Sequence, residues 1–370
     1  MSSPDGDLID TVRLSLVEGV GPRIRRRLLD RFGDAAAVLA AAPSDLREVE
    51  GVGPKLTERI VRAGAEIDAE GQIAFCRCQG ISILTELDAA YPRALREIPD
   101  PPGLLFVRGA LKPSDALAIG IVGTRHGTYY GLRQAERLAA SLARAGLTII
   151  SGLARGIDAA AHRGALDAGG RTLGILASGV MNIYPPEHDK LAEMVAANGA
   201  LISEQPPRST PLAGTFPQRN RIISGMSLGV IVVEAAERSG ALITARHAME
   251  QGRDVFAVPG NVDSRCSRGC HRLIRDGAML VESADDVLEA LGPLVEAAPR
   301  DDGRTVHHPA ELLLNETEQK VLDAIHGEAT TIDEAVVASG LPVPQVLATI
   351  SVLEMRHLIR RLSGTTVIRL

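Results

Sequence analysis

Arginines, one amide and one phenylalanine recur beside small residues at four places in the chain. Gly123-Thr124-Arg125 is the first, and Ser151-Gly152 with Arg155-Gly156 the second. Phe216 to Arg221 reads FPQRNR and is the third; Ser239-Gly240 is the fourth. Guanidinium groups fork onto phosphate oxygens, and a small turn before a helix lets backbone N–H groups meet an anion. An amide such as Asn220 can read a base edge, and a ring such as Phe216 can stack on a base. Arg125, Arg219 and Arg221 are therefore expected to meet phosphates of one bound strand, with Phe216 against a base.

Other chemistries are open to neighbouring residues. Asp158 and His162 are four apart with Ser151 upstream, a set that could suggest a hydrolase, but no GxSxG elbow accompanies them. Asp158 is expected instead to brace the glycine-rich loop, with His162 packed beneath it. Glu204 and Glu234 each follow a strand pattern and could work as an acid/base pair; Arg219 and Arg221 make them structural ion-pair partners. The cysteines, Cys76, Cys78, Cys266 and Cys270, fall in CxC and CxxxC spacings rather than CxxC, which points to reduced thiols. No catalytic residue, metal site or cofactor is expected.

Strands and helices alternate through the middle of the chain and must position these groups. Ala116–Val122 and Leu147–Ile150 are apolar strands around a helix-period segment from Leu132 to Ala145. Further strands are read at Thr172–Leu176, Ala200–Ser203, Gly229–Val233 and Asp254–Val258. The pattern predicts an α/β, Rossmann-like, doubly wound and mostly parallel sheet, whose ligands lie at the carboxyl ends of its strands. A helix starting near Pro217 would put Arg219 and Arg221 on different faces, one toward the strand ends and the other toward a carboxylate or a second phosphate. Before this sheet, Gly80–Leu84 reads as a strand, Pro92 to Pro102 as an irregular loop, and Leu104–Val107 as an edge strand.

The first 70 residues contain VEGVGP twice, starting at Val17 and at Val49. Each copy precedes a basic helix, and the repeat resembles the helix-hairpin-helix family, an all-α, SAM-like module. That resemblance makes Gly19, Gly21 and Arg23, with Gly51, Gly53 and Lys55, secondary candidates for phosphate contact; the many carboxylates of the segment allow a packing role equally. After a polar linker over 296–313, residues 314–370 read as three helices and two short strands. This looks like a winged helix, with Ser363 to Thr366 at the hairpin tip. Its third helix offers Gln345 and few cations, so with Arg356, Arg360 and Arg361 as its basic cluster it suits protein contact or packing better than base reading. The expected domains are thus 1–70, 71–295 and 314–370.

Composition bounds the function. The net charge of −6 argues against a whole-surface nucleic-acid binder and leaves room for a local basic groove. Five Phe, four Tyr and no Trp leave few rings for stacking. No run long and apolar enough for a membrane span is found, and the acidic N-terminus is unlike a signal peptide, so a cytosolic protein is expected.

Between about residues 80 and 290, IVGTR, SGLARGIDAAAH, NIYP, FPQRNRIISG, VVEAAERSGALITA and VPGNVDSRCSRGC follow in the order of the signature blocks of the DprA (Smf) family, which the chain resembles. The resemblance implies a homodimeric protein that binds and protects incoming single-stranded DNA and loads the RecA recombinase in transformation and recombination. It also implies that Gly123, Arg125, Ser151, Gly152, Arg155, Gly156, Phe216, Arg219, Asn220, Arg221, Ser239 and Gly240 line or support the groove. His271 departs from the family's usual Asn. A nucleotide-cleaving phosphoribohydrolase is the alternative from another class; the PGGxGT loop expected of it is absent, the nearest sequence being Pro259-Gly260-Asn261.

Overall fold

The computed structural model describes residues 4–294, 297–300 and 303–370. The chain divides into two compact units, Met1–Met279 and Leu280–Leu370.

Six helices open the first unit: α1 (Pro4–Leu16), α2 (Pro22–Phe32), α3 (Ala35–Ala40), α4 (Pro43–Arg47), α5 (Pro54–Glu66) and α6 (Ala69–Cys78). The GVGP repeat explains α2 and α5. Gly21 and Gly53 are N-caps and the following proline takes the first helical position, where its missing N–H costs nothing. Gly19 and Gly51 hold φ of 100° and 92°, values a side chain disfavours. The copies clasp reciprocally: Arg27 donates to the Glu50 carbonyl and Arg59 to the Glu18 carbonyl, each at 3.0 Å. Leu14, Leu28, Val38, Leu46, Val52 and Ile60 form their shared core.

The sheet follows, with β1 (Ile81–Thr85), β2 (Leu104–Gly109), β3 (Ala118–Val122), β4 (Thr148–Ser151), β5 (Thr172–Ile175), β6 (Ala200–Ser203), β7 (Gly229–Val232), β8 (Asp254–Ala257) and the two-residue β9 (Met279–Leu280). Their spatial order is β1-β2-β6-β5-β4-β3-β7-β8-β9. β3 to β8 pair in parallel, while β1 and β2 are antiparallel additions. Leu104–Val107 is therefore no edge strand: β2 lies between β1 and β6, and its first four residues are buried. Their continuous apolar run suits a strand covered on both faces.

The connecting helices are α7 (Arg93–Arg96), α8 (Tyr129–Ala145), α9 (Ile157–Asp167), α10 (Asp189–Asn198), α11 (Thr215–Gly225), α12 (Ala241–Glu250) and α13 (Arg268–Arg275). Strands run outward in one direction from β3 through β4, β5 and β6, and in the other from β7 to β8. The reversal puts the switch point between β3 and β7, where connections diverge and leave a crevice beyond the strand ends.

The second unit contains α14 (Ala284–Ala290), a hairpin of β10 (Ala298–Pro299) and β11 (Thr305–Val306), and a 3-10 turn at Pro309–Leu313. It continues through α15 (Glu316–Asp323), β12 (Thr330–Thr331), α16 (Ile332–Ser339), α17 (Val343–Met355), β13 (Ile359–Arg361) and β14 (Thr366–Arg369). Val321, Leu322, Ile332, Val346, Ile350, Leu353 and Val367 form its core, and β12, β14 and β13 its small sheet. The linker expected over 296–313 is largely ordered structure of this unit; Glu296, Asp301 and Asp302 lie outside the described residues, as does Val295, the expected end of the central domain. Within this unit, buried Glu311 accepts from the backbone of His308 and pairs with Arg369 at 3.0 Å. Among the described residues, no single helix is long and apolar enough to cross a membrane.

Candidate nucleic-acid interface

A pocket of about 370 Å³ occupies the switch-point crevice. Gly123, Thr124, Arg125 and His126 from the turn after β3 form one wall, Phe216, Arg219 and Asn220 of α11 another, and Ser239 and Gly240 before α12 a third. These are three of the four expected clusters, separated in sequence and brought together because β3 and β7 are neighbours. Arg125 is exposed, and its guanidinium carbon lies 4.7 Å from the centre of the Phe216 ring. Among the described residues no carboxylate pairs with Arg125. Phe216 also meets Tyr184 edge-to-face, with ring centres 5.8 Å apart. Arg125 and Phe216 thus form a cationic and aromatic rim, shared with a smaller recess that takes in Tyr184 along with Gly152, Arg155 and Ser178.

Sequence reasoning left Tyr184 unassigned. The signal was available in NIYP, which follows β5 at the same sheet edge.

Arg219 does something other than reach outward. It is 6% exposed and donates from Nη1 to the Gly152 carbonyl at 2.7 Å and to that of Ile175, while its Nε donates to Asn220 Oδ1 at 3.2 Å. Asn220 in turn donates to the Gly240 carbonyl at 3.3 Å. This chain ties the ends of β4 and β5 to the start of α12 and forms the pocket floor. Burial lowers the Arg219 pKa to about 10, with Asp158 opposing the shift and Arg125 adding to it. The guanidinium remains charged at neutral pH, so the floor is cationic.

Arg221 takes the carboxylate alternative and not the phosphate contact. Two residues on, it points off the pocket, as helical spacing requires. Its Nη2 donates to both Glu204 carboxylate oxygens at 2.9 Å, and its Nε lies 3.5 Å from Asp100. At 3% exposed it is a buried ion-pair partner rather than a phosphate fork. Glu204, mainly desolvated and thereby shifted upward in pKa, is drawn back by that arginine. Among the described residues Glu234 has no such partner; it accepts from the Thr128 N–H at 2.8 Å and hydroxyl at 2.6 Å, holding the start of α8.

The small residues of the strand ends also serve the protein itself. The Ser151 hydroxyl donates to the Ile121 carbonyl at 2.6 Å, and the Gly152 N–H donates to Asp158 at 3.1 Å. A Cβ on Gly123 would sit 2.5 Å from Ile157, one on Gly152 would run into the Arg219 guanidinium, and one on Gly156, at φ 73°, into the Thr124 carbonyl. These glycines let two turns pack on each other and on Arg219. Gly240 differs, since a Cβ there would meet nothing within 4 Å. Arg155 is exposed and paired with Glu187.

Asp158 braces the loop as expected, and its buried carboxyl is pushed up in pKa by desolvation, against the pull of Arg219 and the Ala154 and Gly152 N–H groups. His162 is fully buried, with Nδ1 2.7 Å from the Thr172 hydroxyl. That hydroxyl donates to the Ile149 carbonyl, so Nδ1 carries the proton and donates to Thr172, and burial lowers the ring's pKa to about 3. His271 accommodates its departure from the usual Asn with Nε2 3.1 Å from the Gly260 carbonyl. All four cysteines are free, and no three His, Cys, Asp or Glu side chains among the described residues are grouped to hold a metal.

The secondary candidates divide. Gly19, Gly21, Arg23 and Gly51 line a cleft of about 660 Å³ whose far wall is Pro217, Gln218 and Arg221 of α11 with His247. Gly53 and the exposed Lys55 do not line it.

A doubly wound sheet with a cationic, aromatic crevice at its switch point, a tandem helical hairpin before it and a winged helix after it defines a class of multidomain nucleic-acid-processing protein. Matching family models agree: DNA recombination-mediator protein A over residues 82–292, a SAM-like helix-hairpin-helix tandem over 12–63, and the DprA winged helix domain over 306–365. Protein Smf of Synechocystis is 36% identical, the match covering 95% of this chain and 96% of that one. The X-ray structure of DNA processing protein A from Streptococcus pneumoniae superposes with a TM-score of 0.66 at 35% identity, over 76% of this chain and 96% of that one. A structure described by the single-stranded DNA binding mode of DNA processing protein A from Helicobacter pylori matches with a TM-score of 0.51 at 31% identity, over 56% of this chain and 93% of that one. The chain belongs to the DNA recombination-mediator protein A family, whose members are named DprA or Smf.

Proposed function

We propose that this protein binds single-stranded DNA in the switch-point crevice without transforming it, and presents the bound strand to the RecA recombinase. The observation that carries the reading is the Arg125–Phe216 rim above a cationic floor, with Tyr184 on the ring in the adjoining recess: a guanidinium that no carboxylate pairs among the described residues, beside rings for a base. The single-stranded DNA binding named for the Helicobacter pylori relative supports it. The carboxylates nearest the pocket are engaged in bracing loops or in ion pairs, which favours holding over acid/base catalysis. Bound strand would run across the carboxyl edge, its phosphates on Arg125 and on the field of buried Arg219. Protection of incoming DNA follows from occupying that strand, and delivery to RecA and a homodimeric state belong to the same proposal.

The test is a titration of fluorescent oligonucleotides against duplex and mononucleotide. Tight single-strand binding with no change in the nucleic acid is expected, together with faster RecA filament formation on the bound strand. Tight mononucleotide binding with turnover, and no oligonucleotide binding, would reverse the proposal in favour of nucleotide cleavage.

A further inference from the structure

Among the described residues the exposed aromatic rings are Tyr129, Tyr130 and Tyr184, at 78%, 44% and 38% exposure. Tyr184 belongs to the recess beside the pocket. The other two open α8, directly after the turn that supplies Gly123 to His126 to the pocket, and Glu234 fixes that opening through Thr128. The Tyr130 hydroxyl donates to the Pro259 carbonyl at 2.8 Å, which ties the pair to the turn beyond β8. Arg133 lies 5.9 Å from the centre of the Tyr129 ring, so that ring has a cation beside it and an open face. Arg265 and Arg268 stand exposed in and after the same β8 turn, and among the described residues no ion pair engages Arg133, Arg265 or Arg268. Asp263 and Glu237 are the carboxylates of the neighbouring turns.

A tyrosine offers water a polar tip and a ligand an apolar face, and in a chain this poor in rings its placement beside arginines without ion-pair partners among the described residues is informative. We infer that Tyr129, supported by Tyr130, is a second base-stacking platform, outside the pocket, over which the single strand continues toward the turn after β8. The inference rests on the proposed function and adds to it the direction and extent of the strand. Charge favours this occupant over a second copy of the chain. A two-fold interface centred on the patch would bring Arg133, Arg265 and Arg268 against their own copies, whereas a polyanion neutralises them.

The experiment compares oligothymidylates of about 4 and about 16 nucleotides, the span of site sizes known for single-strand grooves. Tyr129→Ala should bind the short one as the parent does and the long one roughly 5- to 150-fold more weakly, the range for removal of one stacked base. Tyr129→Phe should restore long-strand affinity, and the salt slope should match the parent's in both variants because every phosphate partner is kept. Cross-linking of a 5-iodouracil oligonucleotide to the unaltered protein should map to Tyr129. Equal binding of the long strand by parent and Tyr129→Ala, equal weakening on both lengths, or a fall in self-association in sedimentation would overturn the inference while leaving the pocket in place. A parent protein that binds neither oligonucleotide would remove the proposed function itself.

Discussion

Arg219 and Arg125 show how one residue type takes two jobs in one pocket. Arg125 is exposed and no carboxylate among the described residues pairs with it, so Arg125→Ala should weaken binding of all oligonucleotide sequences about equally and flatten the salt dependence, by roughly 0.7 in log–log slope for each phosphate no longer neutralised. Phe216→Ala should cost about 1–3 kcal/mol of binding and leave the slope unchanged. Fluorescence titrations over a range of salt check both. Weakening the buried pair by Glu204→Gln should instead destabilise the fold, by at most about 3 kcal/mol, because Arg221 is left charged in the interior with Asp100, 3.5 Å from its Nε, as its remaining carboxylate; denaturant melts measure this. His162 supplies a pH prediction. Its folded pKa, about 3, is below the ordinary 6.5, so the unfolded chain binds the proton more readily. Stability is therefore full above about pH 6.5 and declines as pH falls toward 3, by about 1.4 kcal/mol per pH unit from this group. Thermal melts of parent and His162→Gln between pH 7 and 4 should show a shallower decline in the variant, since Gln can still donate to Thr172 and takes up no proton.

At the scale of elements, the turns after β3 and β4 are built to fit each other before any ligand arrives. Gly152→Ala would push a methyl group into the Arg219 guanidinium, and overpacking of this kind costs about 1–3 kcal/mol. The variant should lose oligonucleotide affinity along with stability, because the displaced arginine is the pocket floor. The helical hairpins call for a gentler probe than deletion. Val12 of α1 is buried with Ile73, Ile81 and Phe106, and Arg25 of α2 pairs with Glu86 at 2.8 Å, so removing residues 1–70 would expose the side of the sheet. Paired Arg23→Ala and Lys55→Ala substitutions on exposed positions leave that packing intact. If both turns meet phosphate, oligonucleotide salt slope should fall in the double variant; an unchanged slope assigns the repeat to packing.

For the whole molecule, the division after Met279 places α14, the β10–β11 hairpin and the 3-10 turn with the winged helix. That unit has its own apolar core, from Ala310 to Val367, and its own three-stranded sheet. A fragment of residues 280–370 should therefore melt cooperatively by itself, with a midpoint independent of protein concentration, as followed by circular dichroism. Failure to melt cooperatively would mean that the unit depends on the sheet-bearing part of the chain.

The order of strands and helices, the two hairpins and the winged helix were legible in the sequence because each rests on local spacing: period two, period 3.6, and the GVGP turn repeated 32 residues on. Gathering of the strand-end clusters followed from the rule that parallel sheets bind at their carboxyl ends. What each polar group there would touch was not legible. Arg219 finds the Gly152 carbonyl across 67 residues of chain, Arg221 finds Glu204 across 17, and Tyr184 reaches Phe216 through space. A guanidinium presents the same donors to a phosphate, a carboxylate or a backbone carbonyl, so composition alone leaves its partner open. The partner is decided by which groups the fold brings within reach and by whether water still has access. The same applies to β2, expected at an edge until pairing with β6 placed it inside.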